Sequence, residues 1–442
     1  MVDLRGKRVM VLGLGISGLA SAQFLADQGA KLVLVDQNRN FDTGLLPPGE
    51  VHLGASDPAW LAGVDLVVKG PGVPSDSAIP AGALAAKIPV IGELELASRF
   101  LSAPIAAITG TNGKSTVTVL LGEMLKAAGM RTFVGGNLGT PLVKAVGGVF
   151  DALVVEVSSF QLESIEHFRP RVGIYLNLTD DHFDRYKGLE DYGAAKARIF
   201  ENQDGGDWAI LNRDDANVWK LASKVHSQVF SFGMQPSGET PAIWPEGGTL
   251  EFQMRARKGQ ISLAGFRLPG AHNVANAMAA AAAALAMFVD PGPIERALRS
   301  FRGLPHRIEF VREVKGVTWI DDSKGTNVGA VVEALDAVPA PVVLLAGGLD
   351  KGGDYAPLLG PLRNKVKLAI LFGAAREKMR AALSGAPAAI QLVPTLKDAV
   401  ELAARSAKKG DTVLLSPACA SFDQFKDYAE RGNFFQDLVR AL

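Results

Sequence analysis

Ile105-Ala106-Ala107-Ile108-Thr109-Gly110-Thr111-Asn112-Gly113-Lys114-Ser115-Thr116 is the stretch that decides how this chain is read. Its first four residues are an apolar run with the character of a buried strand. A glycine-punctuated loop follows, and residues 117–130 carry helical spacing. Strand, Gly-rich loop ending in Gly-Lys-Ser, then helix is the order that aims backbone N–H groups at the phosphates of a nucleotide. In that reading Lys114 supplies a point charge to the β and γ oxygens, and Ser115 a hydroxyl for Mg²⁺. The loop lacks the first glycine of G-x-x-x-x-G-K-[ST], because Ile108 stands in its place. A bare Gly-Lys-Ser turn is mostly structural. Here both flanks are right, and ATP binding is the expectation.

Outward from that loop, toward the N-terminus, strand and helix alternate. Residues 8–12 read as a strand, 17–28 as a helix, 31–36 as a strand, and 64–68 as another that ends in Lys69-Gly70-Pro71-Gly72. Such alternation indicates a parallel sheet covered by helices. Gly13-x-Gly15-x-x-Gly18 follows the first strand, and Asp36 comes 18 residues after the last glycine. Together they form the dinucleotide fingerprint with its ribose-binding acid. The glycines alone are a weak signal. With the acid at a strand end, a bound nucleotide is favoured over a purely structural turn.

A linker is expected near 93–102, and the phosphate loop then opens a second α/β unit. Its further strands, 151–157 and 172–177, end in Ser158-Ser159 and Thr179-Asp180. Residues 235–259, rich in Gly, Pro and Glu, read as irregular hairpins without functional content. Residues 274–289 are apolar and dominated by Ala, too short to span a bilayer, and read as a buried helix. A third unit begins near Ser300. Its strands 317–320, 342–345, 368–372 and 412–415 end in Asp321-Asp322-Ser323, Ala346-Gly347-Gly348, Gly373 and Ser416-Pro417. Ligands of open parallel sheets bind beyond the carboxyl ends of the strands, so these ends mark a cleft. The expected fold is α/β in three domains, at 1–94, 95–299 and 300–442. Each is a mostly parallel sheet with helices, Rossmann-like at both ends and P-loop-like in the centre.

A chain of 442 residues is too long for one core and fits three domains. Its 46 acidic and 46 basic residues leave no net field for nucleic acid or an anionic membrane, so small-molecule substrates are the default. The single Cys419 rules out a disulfide framework and fits a reducing cytosol. Lys7-Arg8 followed by residues 9–19 imitates a signal peptide, but glycines interrupt the apolar run and a βαβ pattern continues through it.

Glu156 ends a β-run just before Ser158-Ser159, where a phosphate-loop enzyme places a Mg²⁺-binding acid; an idle strand-end Glu is the alternative. His182 lies in Thr179-Asp180-Asp181-His182-Phe183-Asp184, beside three acids, which favours a functional role. Lys196 sits on a helix, and composition alone makes it a solvated lysine. Arg307, Lys324 and Lys351 stand in short loops bounded by Gly or Pro, where cations suit phosphate or carboxylate ligands.

The motifs Ile-Thr-Gly-Thr-Asn-Gly-Lys-Ser-Thr, Val-Glu-Val-Ser-Ser-Phe-Gln-Leu-Glu, Asp-Asp-His-Phe-Asp-Arg-Tyr, Gly-x-His-Asn-x-x-Asn from Gly270, and Leu-Pro-His-Arg resemble those of the Mur ligases. These are ATP-dependent amide-forming enzymes of peptidoglycan synthesis. The likeness runs in family order from Gly13 to Phe425. Asp322–Asn327 and Ser416–Phe425 point to D-glutamate as the amino acid. One departure is Gly325, where relatives carry Ala.

The resemblance implies a cytoplasmic, monomeric ligase acting on UDP-N-acetylmuramoyl-L-alanine and D-glutamate, with no nucleic-acid or membrane partner. It places ATP at Gly110, Thr111, Asn112, Gly113, Lys114, Ser115, Thr116, Asn273, Arg307 and Asp322. The UDP end of the substrate falls to Ser17, Asp36 and Gly72, and the muramoyl-alanine path to Asn137, Ser158, Ser159 and Gln161. D-Glutamate falls to Lys324, Thr326, Lys351, Ser416 and Phe422. Ser115 and Glu156 would hold one Mg²⁺, His182 and a carbamylated Lys196 the second; Lys114, His182 and Lys196 form the catalytic set. The carbamate reverses the solvated reading of Lys196. Rival readings are a sister ligase for diaminopimelate or lysine, a folylpolyglutamate synthetase, a nicotinamide dehydrogenase and a non-catalytic nucleotide switch.

Overall fold

A computed structural model describes residues 3–182, 185–238, 241–254 and 257–442. Three sheets follow one another along the chain. The first has five parallel strands in the order Glu50–Leu53, Lys31–Asp36, Arg8–Leu12, Leu66–Lys69, Val90–Gly92. Its order reverses between Arg8–Leu12 and Leu66–Lys69, so a crevice opens beyond Leu12 and Lys69, where Gly13 and Gly70 turn the chain away.

The central sheet has nine strands. From Thr132–Gly136 at one edge it runs through Ala152–Glu156, Ile105–Thr109, Val172–Tyr175, Trp208–Asn212 and Gln228–Phe232 to Ala242–Glu246, all parallel. Thr249–Met254 and Arg257–Ser262 then extend it antiparallel. The stretch read as irregular hairpins is therefore a regular sheet edge. Pro245 is tolerated because Gln228–Phe232 meets this strand only at Ala242 and Ile243.

The third sheet has six strands, Glu309–Val314, Val317–Asp321, Thr412–Leu415, Val342–Gly347, Val366–Phe372 and Ala389–Leu392, with only the first antiparallel. The three-unit α/β expectation is met.

Residues 93–102 do connect the first sheet to the second, as a helix rather than an extended segment. Glu93–Ser98 is a helix whose first five residues are buried. Glu95, fully buried, accepts the backbone N–H groups of Glu166, His167 and Phe168 at 2.8–3.0 Å and pairs with Arg99 at 2.8 Å. The acids of this helix tie the segment to the central unit, Glu95 through residues 166–168 and Glu93 through Val143 N. The alanine-rich segment is the helix Ala271–Ala286, packed on Lys114–Ala127 within one core. Among the described residues, no helix is long and apolar enough to cross a membrane.

Candidate active site

The strand Ile105–Thr109 ends at the phosphate loop, and the helix Lys114–Ala127 starts at Lys114, three residues earlier than the side-chain spacing suggests. Gly113 caps it at φ +83°, and a Cβ there would lie 2.3 Å from Asn276 Oδ1, so no other residue fits. Asn177, next to the strand Val172–Tyr175, clamps the loop. Its Oδ1 accepts the N–H groups of Thr111 (3.1 Å) and Asn112 (2.8 Å), and its Nδ2 donates to Asn112 O at 3.2 Å. Ser115 and Thr116 are buried at the helix start, and Thr116 Oγ1 finds no partner.

Two lysines converge on this loop. Lys114 Nζ donates to Gly110 O at 2.9 Å and Thr111 O at 2.7 Å, and Lys196 Nζ donates to the same Gly110 O at 2.8 Å. Lys196 is 1% exposed and lies over the Tyr192 ring at 4.4 Å. Burial, reinforced by the Lys114 ammonium, holds its pKa well below the usual lysine range. The solvated-lysine reading from composition is thus overturned. Its helix is Leu189–Ala197, where Gly193 lies against Leu178, a Cβ there falling 2.7 Å from that side chain.

Glu156, buried at the end of Ala152–Glu156, accepts from Asn137 Nδ2 at 2.8 Å through Oε1, while its Oε2 is buried with no partner. Asp181 is opposed by burial, yet Lys351 at 2.8 Å and His182 hold its carboxyl below the ordinary range. His182 adopts φ +55°, with Nε2 3.7 Å from Asp181 Oδ2 and its ring edge-on to Phe160 at 4.9 Å. Asp180 is exposed at the cleft rim. Phe183 and Asp184 of the same motif lie outside the described residues.

The third unit faces this centre. A cleft of about 360 Å³ is lined by Asp181, His182, Asn327, Lys351 and Tyr355, among others. Asn327 Nδ2 donates to Asn112 Oδ1 at 3.1 Å and Asp181 Oδ2 at 3.4 Å, joining the third unit to the phosphate loop. Lys324 sits 3.4 Å from the Tyr428 hydroxyl; burial lowers its pKa to about 8 against the pull of Glu156. Thr326 is half-buried beside it and donates its N–H to Lys324 O at 2.9 Å.

Of the expected D-glutamate set only Lys351 lines this cleft; Lys324 and Thr326 lie outside its lining, and Ser416 and Phe422 are placed differently again. Ser416 is fully buried and donates to Asp322 Oδ2 at 2.7 Å, and burial raises Asp322 to about 7. Phe422 is 68% exposed, and neither it nor Ser416 lines the cleft. A Cβ at Gly325 would lie 2.4 Å from Asp322 Oδ2 and 2.8 Å from Ser416 Oγ, so this glycine makes room for that buried pair. Arg307, Asn273 and Thr116 line a separate crevice beside the phosphate helix.

In the first unit a cleft of about 540 Å³ takes in Ser17, Asp36, Gly72, Asn137 and Gln161. Asp36 accepts the N–H of Leu14 at 2.6 Å and of Asn38 at 2.8 Å, fastening the glycine loop to the strand end. A Cβ at Gly18 would meet Gly13 O at 1.9 Å, so the third glycine of the fingerprint is a packing requirement. Ser158 and Ser159 stay out of this cleft, Ser158 as the cap of the short helix Ser159–Leu162.

Family models cover the three units in turn. The N-terminal model of the Mur ligase MurD-like type matches residues 7–92, the Mur ligase middle domain 108–284, and the Mur ligase glutamate ligase domain 306–419. The chain belongs to the Mur ligase family. It is 46% identical over 452 residues to a UDP-N-acetylmuramoylalanine--D-glutamate ligase of Geotalea uraniireducens, covering 100% of this chain and 99% of that one. A protein of the same name from Syntrophus aciditrophicus is 44% identical over 450 residues, with coverage of 100% and 99%.

Among solved Mur ligase structures, the MurF ligase of Thermotoga maritima in complex with ADP superposes with a TM-score of 0.62 at 19% identity, over 100% of this chain and 97% of that one. A pseudomurein peptide ligase type C from Methanothermus fervidus gives 0.63 at 18%, over 99% and 100%. At that identity the likeness speaks for the fold alone.

For this Mur ligase, residue-by-residue reading passed over Asn177, Asn327 and Arg185. Asn177 closed an expected strand, so the strand-end rule that found Glu156 applied to it; Asn327 caps the helix Val328–Ala337 and lay beyond that rule.

Proposed function

We propose that this chain is an ATP-dependent ligase that joins D-glutamate to UDP-N-acetylmuramoyl-L-alanine, working as a cytoplasmic monomer in peptidoglycan precursor synthesis. One observation carries the reading. Lys351 of the third unit lies 2.8 Å from Asp181, beside the phosphate loop, so an amino acid held by the third unit meets a carboxylate activated on the second. The curated relatives of the same full length bear that activity in their names.

In this reading the first-unit cleft holds the uridine diphosphate through Ser17, Asp36 and Gly72, and Asn137, which touches both that cleft and Glu156, marks the way to the phosphate loop. ATP lies along 110–116, with Asn273 and Arg307 at the crevice behind Thr116. An alanyl carboxylate oxygen attacks the γ-phosphorus in line and ADP leaves, with Lys114 neutralising charge on the transferring group. The amine of D-glutamate, its carboxylates drawn by Lys324 and Lys351, attacks the acyl carbon. The tetrahedral intermediate expels phosphate, and the new amide nitrogen loses a proton. Contacts such as Asn327 to Asn112 keep water from the acyl phosphate.

The residues also suit divalent cations. Glu156 Oε2 is an orphaned, buried oxygen of the hard kind Mg²⁺ takes, with Ser115 nearby for one ion; His182 and Lys196, as a carbamate, suit a second. Bound there, Mg²⁺ supplies charge neutralisation for two anions brought together. The low pKa of Lys196 favours the neutral amine that CO₂ requires.

The test is phosphate release from ATP with UDP-N-acetylmuramoyl-L-alanine and each candidate amino acid in turn. Turnover is expected with D-glutamate. Preference for L-lysine or diaminopimelate would move the assignment to a sister ligase, and release without an acceptor would point to a nucleotide switch.

A further inference from the structure

Arg185 stands where the first and central units meet, and it lines neither of the two clefts described above. Its backbone N–H and that of Tyr186 donate to His182 O at 3.0 and 3.1 Å, so both residues are anchored on the His182 carbonyl. Its guanidinium reaches into the first unit, donating to Pro71 O at 3.3 Å and Val73 O at 3.5 Å. It also pairs with Glu163 and lies over Phe160 at 4.5 Å, the ring that meets the edge of His182. Glu163 is fixed in turn by the Tyr186 hydroxyl at 2.6 Å and by Ser75 of the first unit at 3.4 Å.

The carbonyls that Arg185 grips belong to the loop Gly70-Pro71-Gly72-Val73-Pro74, a wall of the 540 Å³ cleft. From within the first unit, the buried Lys69 Nζ donates to the same Val73 O at 3.1 Å. Two cations thus hold one loop by its backbone, one from each unit. A planar guanidinium bridging two carbonyls transmits backbone position faithfully.

We propose that Arg185 is a positioning residue that couples the first-unit cleft to His182, through the His182 carbonyl and the Phe160 ring. A uridine diphosphate seated against the loop fixes it, the loop fixes the guanidinium, and the guanidinium fixes His182. The phosphate-transfer centre is then complete only when the nucleotide end of the acceptor is in place. This rests on the substrate reading given above, and coupling of this kind is typically worth 5- to 150-fold.

The experiment separates the two halves of the substrate. Phosphate release is measured with ATP, D-glutamate and N-acetylmuramoyl-L-alanine, which lacks the nucleotide, with and without UDP added in trans. UDP should stimulate the wild type at least about fivefold. In Arg185→Ala the stimulation should vanish while calorimetry still shows UDP bound, and Arg185→Lys should restore part of it. A merely structural role would lower the rates with and without UDP alike and leave their ratio intact. Such a result, or UDP that binds the wild type without stimulating it, overturns the proposal. UDP that fails to bind the wild type defeats the substrate reading, and the coupling with it. Should Arg185→Ala not fold, Glu163→Gln decides: reduced stimulation supports the coupling, and full stimulation overturns it.

Discussion

Replacing Lys196 with Met removes a buried ammonium and keeps an unbranched chain of similar length over the Tyr192 ring. The hydrogen bond to Gly110 O is lost, but that carbonyl keeps Lys114 at 2.9 Å, so no acceptor is orphaned. A charge-assisted bond contributes roughly 1.5–3 kcal/mol, and sulfur over an aromatic ring returns about 0.3–1.5. Against the remainder stands the relief of burying a cation beside a second one. In the folded protein Lys196 has a pKa well below 10.5, through burial first and Lys114 second. Between that depressed value and the ordinary lysine range, the unfolded chain binds a proton that the folded protein does not. Stability of the wild type therefore rises with pH through this window by about 1.4 kcal/mol per unit, and the Met variant lacks that rise. For a domain of this size, 1 kcal/mol is roughly 2–4 °C in Tm. Melting both proteins in bicarbonate-free buffer, from about pH 7 to about pH 10, should show a variant at least as stable at the neutral end. Its advantage should shrink by roughly 3–5 °C per pH unit, while turnover is absent throughout. A Tm difference that does not change with pH, or a variant that still turns over, would refute the burial argument or the catalytic role respectively.

Lys114→Ala should lower kcat by at least ~10²-fold with the fold intact, because it removes a contact to charge developing on the γ-phosphoryl group; activity within tenfold of wild type in a phosphate-release assay would sink the assignment. Lys351→Ala should raise KM for D-glutamate more than about tenfold and leave that for ATP nearly unchanged, and equal losses for both would mean that Lys351 serves the phosphate loop instead. Glu93 accepts the N–H of Val143 at 2.7 Å, and burial raises its pKa from 4.5 to about 7. The stability its protonated form contributes is present below about pH 4.5 and lost as pH rises through about 7, so Glu93→Gln should flatten that decline in urea midpoints; parallel curves for the two proteins would be the contrary result.

What could be read in the sequence was what local chemistry determines. The phosphate loop, the glycine turn after Arg8–Leu12 and the polar strand ends depend on backbone geometry within a few residues, and each lies where spacing put it. Lys196 was not legible in that way. Nothing within its helix marks it as buried; its Nζ meets Gly110 O, a contact from 86 residues away that only the tertiary structure supplies. Residues 93–102 were read only as a linker for a related reason, since the three N–H groups that cap Glu95 arrive from 166–168, far along the chain. Ser416 shared a strand end with true cleft residues, yet its hydroxyl turns to Asp322, a direction that register alone cannot supply.

The helix Ala271–Ala286 carries an implication for how this protein can change over time. From Ala277 to Ala286 every side chain is at most 2% exposed, so this part of the helix has no solvent face on which substitutions are free. An ordinary amphipathic helix offers about half its positions for drift within roughly ±0.5 kcal/mol. Here a larger residue at any of the alanines Ala279–Ala284 meets packed neighbours, at roughly 1–3 kcal/mol each, and glycine loses about 1 kcal/mol of helix propensity. Variation should therefore gather in the exposed loops and leave this segment a compositional fossil. Deep mutational scanning would show it as a continuous band of intolerance without the 3.6-residue ripple that most helices display.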